Sequence, residues 1–107
     1  MAFRVVLSPE AKGDMFDIYR YVATHDSIAN AEKLLTALEA ACLGLADFPE
    51  RNNRPKELVD LGVDEFREAH CGPYRIVYGI DGRRVEVLCV LDGRRDMQAL
   101  LQRRLLG

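Results

Sequence analysis

The spacing of apolar residues changes once along this chain, from a helical period to an alternating one. Phe3 to Leu7 is a short β-branched run that reads as a strand. Ser8-Pro9 follows, an N-cap residue and then a proline at the first helical position. Ala11, Met15, Ile18, Tyr19 and Val22 recur at helical spacing with charges between them, which predicts a helix ending near Thr24. Asp26 or Ser27 can cap a second helix. Its stripe is Ile28, Ala31, Leu34, Leu35, Leu38, Ala41, Cys42 and Leu45, and Pro49 just beyond it is a stop. Two helices joined by so short a turn form an antiparallel hairpin. Residues 50–62, with Asn52, Asn53 and Pro55, read as an irregular connection.

Beyond this point the period is two. Tyr74, Ile76, Tyr78 and Ile80 alternate with Arg75, Val77 and Gly79; after Asp81-Gly82, Val85, Val87, Cys89 and Leu91 alternate on the way back. With Asp81-Gly82 as a two-residue turn, Ile80 faces Arg83, Tyr78 faces Val85 and Ile76 faces Val87. One face is then almost wholly apolar, with Tyr74 and Tyr78 at core positions, and it must meet the helices. The other face collects Arg75, Val77, Arg84, Glu86, Leu88 and Val90. Val63 to His70 is a further strand; with Phe66 inward, Arg67 and Ala69 lie on the side of Arg75. Asp96 can cap a terminal helix with Met97, Leu100, Leu101 and Leu105 on one stripe.

The order is strand, helix, helix, three strands, helix. It predicts an α+β fold: an N-terminal strand, an antiparallel helical hairpin packed on one face of a mostly antiparallel sheet, and a short C-terminal helix. The opposite face has no evident cover. Arg67, Arg75, Arg94 and Arg95 can converge there as a surface for an anionic or protein partner. The alternative is that these arginines pair with Glu68, Glu86 and Asp96 on a solvated sheet.

Composition narrows the classes. The 107 residues, 49% hydrophobic and 30% charged, read as one soluble globular domain spanning 1–107. The net charge of −2 argues against a chain that binds DNA on its own. The average hides an asymmetry: residues 1–69 carry 8 Lys+Arg against 13 Asp+Glu, whereas residues 70–107 carry 7 Arg against 4 Asp+Glu. Every basic residue after Lys56 is arginine, the side chain suited to bidentate contacts with carboxylate or phosphate. Three cysteines without CxxC spacing argue against disulfides and structural zinc, and Cys42 and Cys89 read as small buried hydrophobes. Of the two histidines, His25 reads as a surface residue. His70 and Cys71 are adjacent in a strand and point to opposite faces, so they cannot pair as base and nucleophile. Asp14, Asp17 and Arg20 read as pairs that support the first helix. No cofactor motif, signal peptide or membrane span is evident, and the expectation is a cytoplasmic protein with no metal or cofactor.

Leu7-Ser8-Pro9-Glu10-Ala11 before two helices is a generic feature. More specific is Tyr74-Arg75-Ile76-Val77-Tyr78, then Val85-Glu86-Val87-Leu88, then Leu91-Asp92-Gly93-Arg94-Arg95-Asp96. Together these resemble the ParE/RelE toxin superfamily of bacterial toxin–antitoxin modules, over nearly the whole chain and in the same element order. The resemblance implies a small plasmid-stabilising or growth-arresting toxin, wrapped and neutralised by an antitoxin. Such an antitoxin is ParD-like, a ribbon-helix-helix dimer. Its contacts would fall on the arginine-bearing sheet face and the groove beside the helical hairpin.

The superfamily has two branches. RelE-like members cleave mRNA on the ribosome without a metal, and there Arg67, Arg75 and Arg94 match the basic residues. ParE-like members poison DNA gyrase, and there Arg67, Arg75, Arg94, Arg95, Leu100 and Leu101 are the expected target or antitoxin contacts. The chain departs from the cleaving pattern at Ala69, near a lysine position, at Leu100, near a tyrosine position, and at Asp92, where relatives carry histidine. RNA cleavage needs a base, an acid and cations for the phosphorane. The cations are present and an evident acid–base pair is not, so the ParE-like branch is favoured. The alternatives are the ribosome-dependent endoribonuclease and a degenerate, non-toxic binding module.

Overall fold

The computed structural model describes residues 2–107. Strand β1 is Arg4–Leu7, helix α1 Pro9–His25 and helix α2 Ile28–Leu43. Single 3-10 turns at Gly44–Ala46 and Pro49–Arg51 lead to a one-turn helix α3, Lys56–Val59. Then come β2 (Phe66–Cys71), β3 (Tyr74–Asp81) and β4 (Arg84–Asp92), and helix α4 (Met97–Leu101), which continues as a π turn over Gln102–Leu106. The sheet order is β1-β4-β3-β2, parallel between β1 and β4 and antiparallel elsewhere. No helix among the described residues is long and apolar enough to cross a membrane.

Local chemistry sets the helix boundaries. Ser8 Oγ accepts from Ala11 N at 3.0 Å and donates to the Leu88 carbonyl at 3.3 Å, so one buried hydroxyl caps α1 and ties it to β4. Ser27 caps α2 through Asn30 N, also at 3.0 Å. Ala11, Met15, Leu38 and Cys42 pack with Ile76, Tyr78, Val85, Val87 and Val90 in the first core. Ile28, expected on the buried stripe, instead lies in solvent: it is the first residue of α2, beyond the reach of the sheet.

The hairpin differs from the expected one. Its turn residues are Gly82 and Arg83, with Asp81 opposite Arg84, Ile80 opposite Val85 and Tyr78 opposite Val87. An Asp81-Gly82 turn of type I′ needs both residues at positive φ, and here only Gly82 has one, at 60°. Gly82 therefore takes the first central position, as in a type II′ turn. This displacement shifts the partners by two residues, so Val85 and Val87 stay on the expected face. A bulge at Leu88 does not preserve the pattern. Val77 now faces Cys89, Ile76 faces Val90 and Arg75 faces Leu91. One extra residue exchanges faces for the rest of β4: Val90 joins the first core, while Cys89 and Leu91 turn to the other side.

That other side is not open. Leu58 from α3 and Met97, Leu100 and Leu101 from α4 cover Val77, Cys89 and Leu91 as a second core. The chain is thus a sandwich with helices on both faces of the sheet. Strand β2 also has the opposite phase from the expected one. Phe66, Glu68 and His70 pair with Gly79, Val77 and Arg75 and share their face, while Arg67 and Ala69 pair with Tyr78 and Ile76. The apolar side of Phe66 meets the second core, which the sequence reading did not include.

Two polar junctions hold these layers in place. Asp14 on α1 accepts from Val90 N at 3.0 Å and receives a bidentate ion pair from Arg104 (3.0 and 2.8 Å). The Tyr78 hydroxyl donates to the Pro49 carbonyl and accepts from Asn52 Nδ2 at 3.0 Å. Phe48 makes that second junction possible by adopting φ 54°, which turns the chain sharply and leaves its ring in solvent beneath Arg51.

The thiols report on the cores. Burial pushes Cys42 up to about 11 and Cys89 up to about 12, from 9.0. Both groups hold their protons longer folded than unfolded, so their contribution is complete below pH 9.0 and is lost as pH rises through the folded values. Each thiol adds up to about 1.4 kcal/mol per pH unit to that loss. Urea midpoints measured between those limits should fall more steeply for the wild type than for Cys42→Ala/Cys89→Ala. Equal slopes would show that the buried thiols do not cause the alkaline loss.

Candidate functional site

Arg75 is the centre of the expected basic surface, and the structure shows it enclosed. It stands on β3 opposite Leu91, facing α3. Its Nε donates to Glu68 Oε1 at 2.7 Å, and Nη1 and Nη2 donate to the two carboxylate oxygens of Glu57 at 2.8 and 2.7 Å. Nη2 also lies 2.6 Å from Glu68. The side chains of Arg75, Glu57 and Glu68 are only 12%, 25% and 10% exposed. Hydrogen bonds from Arg75 hold the Glu57 carboxyl below its ordinary value, and the two carboxylates push the guanidinium further up. The triad carries a net −1 and engages every nitrogen of the arginine, so it is a structural hub and not an open anion site.

Gly93 completes the enclosure. A Cβ there would stand 2.8 Å from Arg75 Cδ and 3.1 Å from the Pro73 carbonyl, which accepts from Gly93 N at 2.8 Å. The bare backbone thus lies along the arginine stem. His70 sits at the rim, exposed, with Nε2 3.5 Å from Glu68 Oε2.

The other expected residues do not converge on Arg75. Arg67 lies across the sheet on the face of Tyr78, and its Nη1 donates to the Asn52 carbonyl at 2.7 Å, bracing the 49–54 loop. Arg94 is 73% exposed but is bidentate with Asp92, from Nε at 2.9 Å and Nη2 at 2.7 Å. Asp92 is held down to about 2 by those bonds and by Arg94 N. Arg95 is exposed beside Asp17 and Asp92. Leu100 and Leu101, expected as contacts, are core residues at 7% and 0% exposure. They occupy the inner side of a helix that closes the second face.

Sequence reasoning named Glu68 as a partner for arginine and missed Glu57, because a four-residue helix has no period to read. It also assigned Asp14 to local helix pairs, whereas Asp14 joins residues 76 and 90 positions away. His25 is on the surface as expected, stacked on Tyr21 with ring centroids 4.1 Å apart.

A parallel–antiparallel four-stranded sheet carrying a helical hairpin on one face and short helices on the other is an architecture found in known structures. Among solved structures, the chain is similar to one in a chromosomal ParDE toxin–antitoxin system from P. aeruginosa. That match has a TM-score of 0.72 at 13% identity, over 83% of this chain and 94% of that one. It is also similar to a chain of the RelBE2 toxin–antitoxin complex from Mycobacterium tuberculosis, with a TM-score of 0.59 at 21% identity over 84% and 96% of the two chains. In sequence it is 28% identical over 98 residues to Toxin ParE3 of Caulobacter vibrioides, covering 92% of this chain and 94% of that toxin. Residues 5–97 match the model of the ParE toxin of type II toxin–antitoxin systems, parDE. The chain belongs to the ParE toxin family.

Proposed function

We propose that this toxin acts in the cytoplasm on DNA gyrase by protein–protein contact, and that a ParD-like antitoxin encoded beside it neutralises it. The observation that carries this reading is the disposition of the three arginines a nuclease would need. Arg75 is saturated by Glu57 and Glu68, Arg94 is paired with Asp92, and Arg67 lies on the opposite face. A phosphorane needs cations gathered at one point and an acid and a base within reach. Arg95, exposed, and Arg94, with its guanidinium edge partly in solvent, remain available to a protein partner.

The test is inducible expression without antitoxin, with mRNA integrity and plasmid supercoiling read from the same culture. Growth arrest with intact mRNA and altered topology is the expected result. Arrest with cut mRNA would replace this reading with the ribosome-dependent nuclease, and unimpaired growth with a non-toxic binding module.

A further inference from the structure

Gly79 occupies the interior of β3, opposite Phe66 on β2 and Glu86 on β4. Its φ is outside the left-handed region. A Cβ built there would meet only Leu88 Cδ1 and Phe66 Cδ1, both at 3.9 Å, an ordinary packing distance. Folding therefore does not call for glycine here; a β-branched residue would restrict the unfolded chain and pack on its neighbours. What glycine provides is space, and a strand glycine of this kind marks a place where another group approaches closely.

The space is a trough on the part of the second face that α3 and α4 leave uncovered. Phe66 and Leu88 form its walls, Leu88 sharing the face of Glu86 two residues before it, and the Gly79 backbone is its floor. The rim is acidic: Glu65, Asp81 and Glu86 stand against the single Arg84, which is 3.6 Å from Glu86. Glu65 and Asp81 are exposed at its mouth.

We propose that this trough receives an arginine or lysine side chain of a protein partner. The aliphatic stem lies on Gly79 between Phe66 and Leu88, and the cationic head lies among Glu65, Asp81 and Glu86. Long basic side chains suit such a site because they bury an apolar stem while keeping the charge at a polar rim. A carboxylate-bearing segment is repelled by the same rim. The site is separate from the Arg75 triad and holds whichever target the toxin acts on.

The test is amide-resolved NMR titration of the isotope-labelled chain with a short capped peptide carrying one arginine between alanines. The same peptide with lysine or with glutamate in place of the arginine is titrated alongside. The arginine and lysine peptides should shift the amides of Phe66, Gly79 and Leu88 with millimolar affinity, and the glutamate peptide should not. Gly79→Val should weaken that binding by at least about tenfold, while its thermal midpoint holds or rises. Glu65→Gln/Asp81→Asn, at exposed positions, should weaken it comparably and decides the matter if Gly79→Val fails to fold. Equal shifts with the glutamate peptide, shifts scattered over the surface, or unimpaired binding by a folded variant would overturn the proposal. None of these outcomes touches the gyrase reading, which is scored by mRNA and supercoiling.

Discussion

Arg75→Ala should lose about 3 kcal/mol of stability at neutral pH, because it leaves Glu57 and Glu68 enclosed together with no cation between them. The pH dependence identifies the cause. In the wild type, the Glu57 carboxyl titrates below its ordinary 4.5, so its contribution is complete above that pH and is lost as pH falls through the folded value. In the variant, the Glu57 carboxyl has no cation beside it and faces Glu68 instead, so it binds a proton more readily folded than unfolded. Acidification from neutral pH towards 4.5 should therefore recover stability in the variant while leaving the wild type level. Urea midpoints across that range measure both trends. A variant as stable as the wild type at pH 7 would show that the triad contributes nothing. Arg75→Met/Glu57→Gln/Glu68→Gln, which removes the charges together, should be less damaged than Arg75→Ala alone. The functional consequence is direct: loss of toxicity in Arg75→Ala reports unfolding unless the midpoint is measured beside it.

Asp14→Ala should be nearly as costly, about 2–4 kcal/mol, with a thermal midpoint lowered by more than about 10 °C. Past Leu7 there is no β1 residue to pair with β4, and Asp14 supplies the acceptor for Val90 N at 3.0 Å. The same carboxylate anchors Arg104, which holds the end of the chain against α1. Removing Asp14 strands a buried backbone donor and a guanidinium that is only 25% exposed. Arg104→Ala keeps the bond to Val90 and should cost less than half as much. If the two variants are equally damaged, the ion pair and not the backbone bond is what stabilises the junction.

The helical hairpin and its caps were legible because their signals are local. Ser8-Pro9 and Ser27 act within one turn, and the stripes of α1 and α2 are long enough to define a period. The family resemblance was legible for a related reason: the Tyr74–Tyr78 and Leu91–Asp96 segments keep their order and spacing. The expected site was read less well. Arg75 was expected on the uncovered sheet face either as a cation for a partner or paired with Glu68, and the structure shows the pairing. Its neutralisation depends on Glu57, which comes from a one-turn helix 18 positions away. Arg67 was placed on the wrong face because β2 was phased on Phe66 against a single core.

By itself the sequence determined the α+β element order, the antiparallel hairpin of helices, the β hairpin and membership of the toxin superfamily. The elements follow from periodicity and capping within a few residues of each position, whereas the superfamily rests on the resemblance carried by the Tyr74–Tyr78 and Leu91–Asp96 segments. Only the tertiary structure decided which way the second half of β4 faces, what covers the second side of the sheet, and whether the arginines meet. The physical reason is the bulge at Leu88. In a strand of period two, one extra residue carries every later side chain to the opposite face. That exchange gives Leu58, Leu100 and Leu101 a surface to bury, and the helices that bury it bring Glu57 onto Arg75.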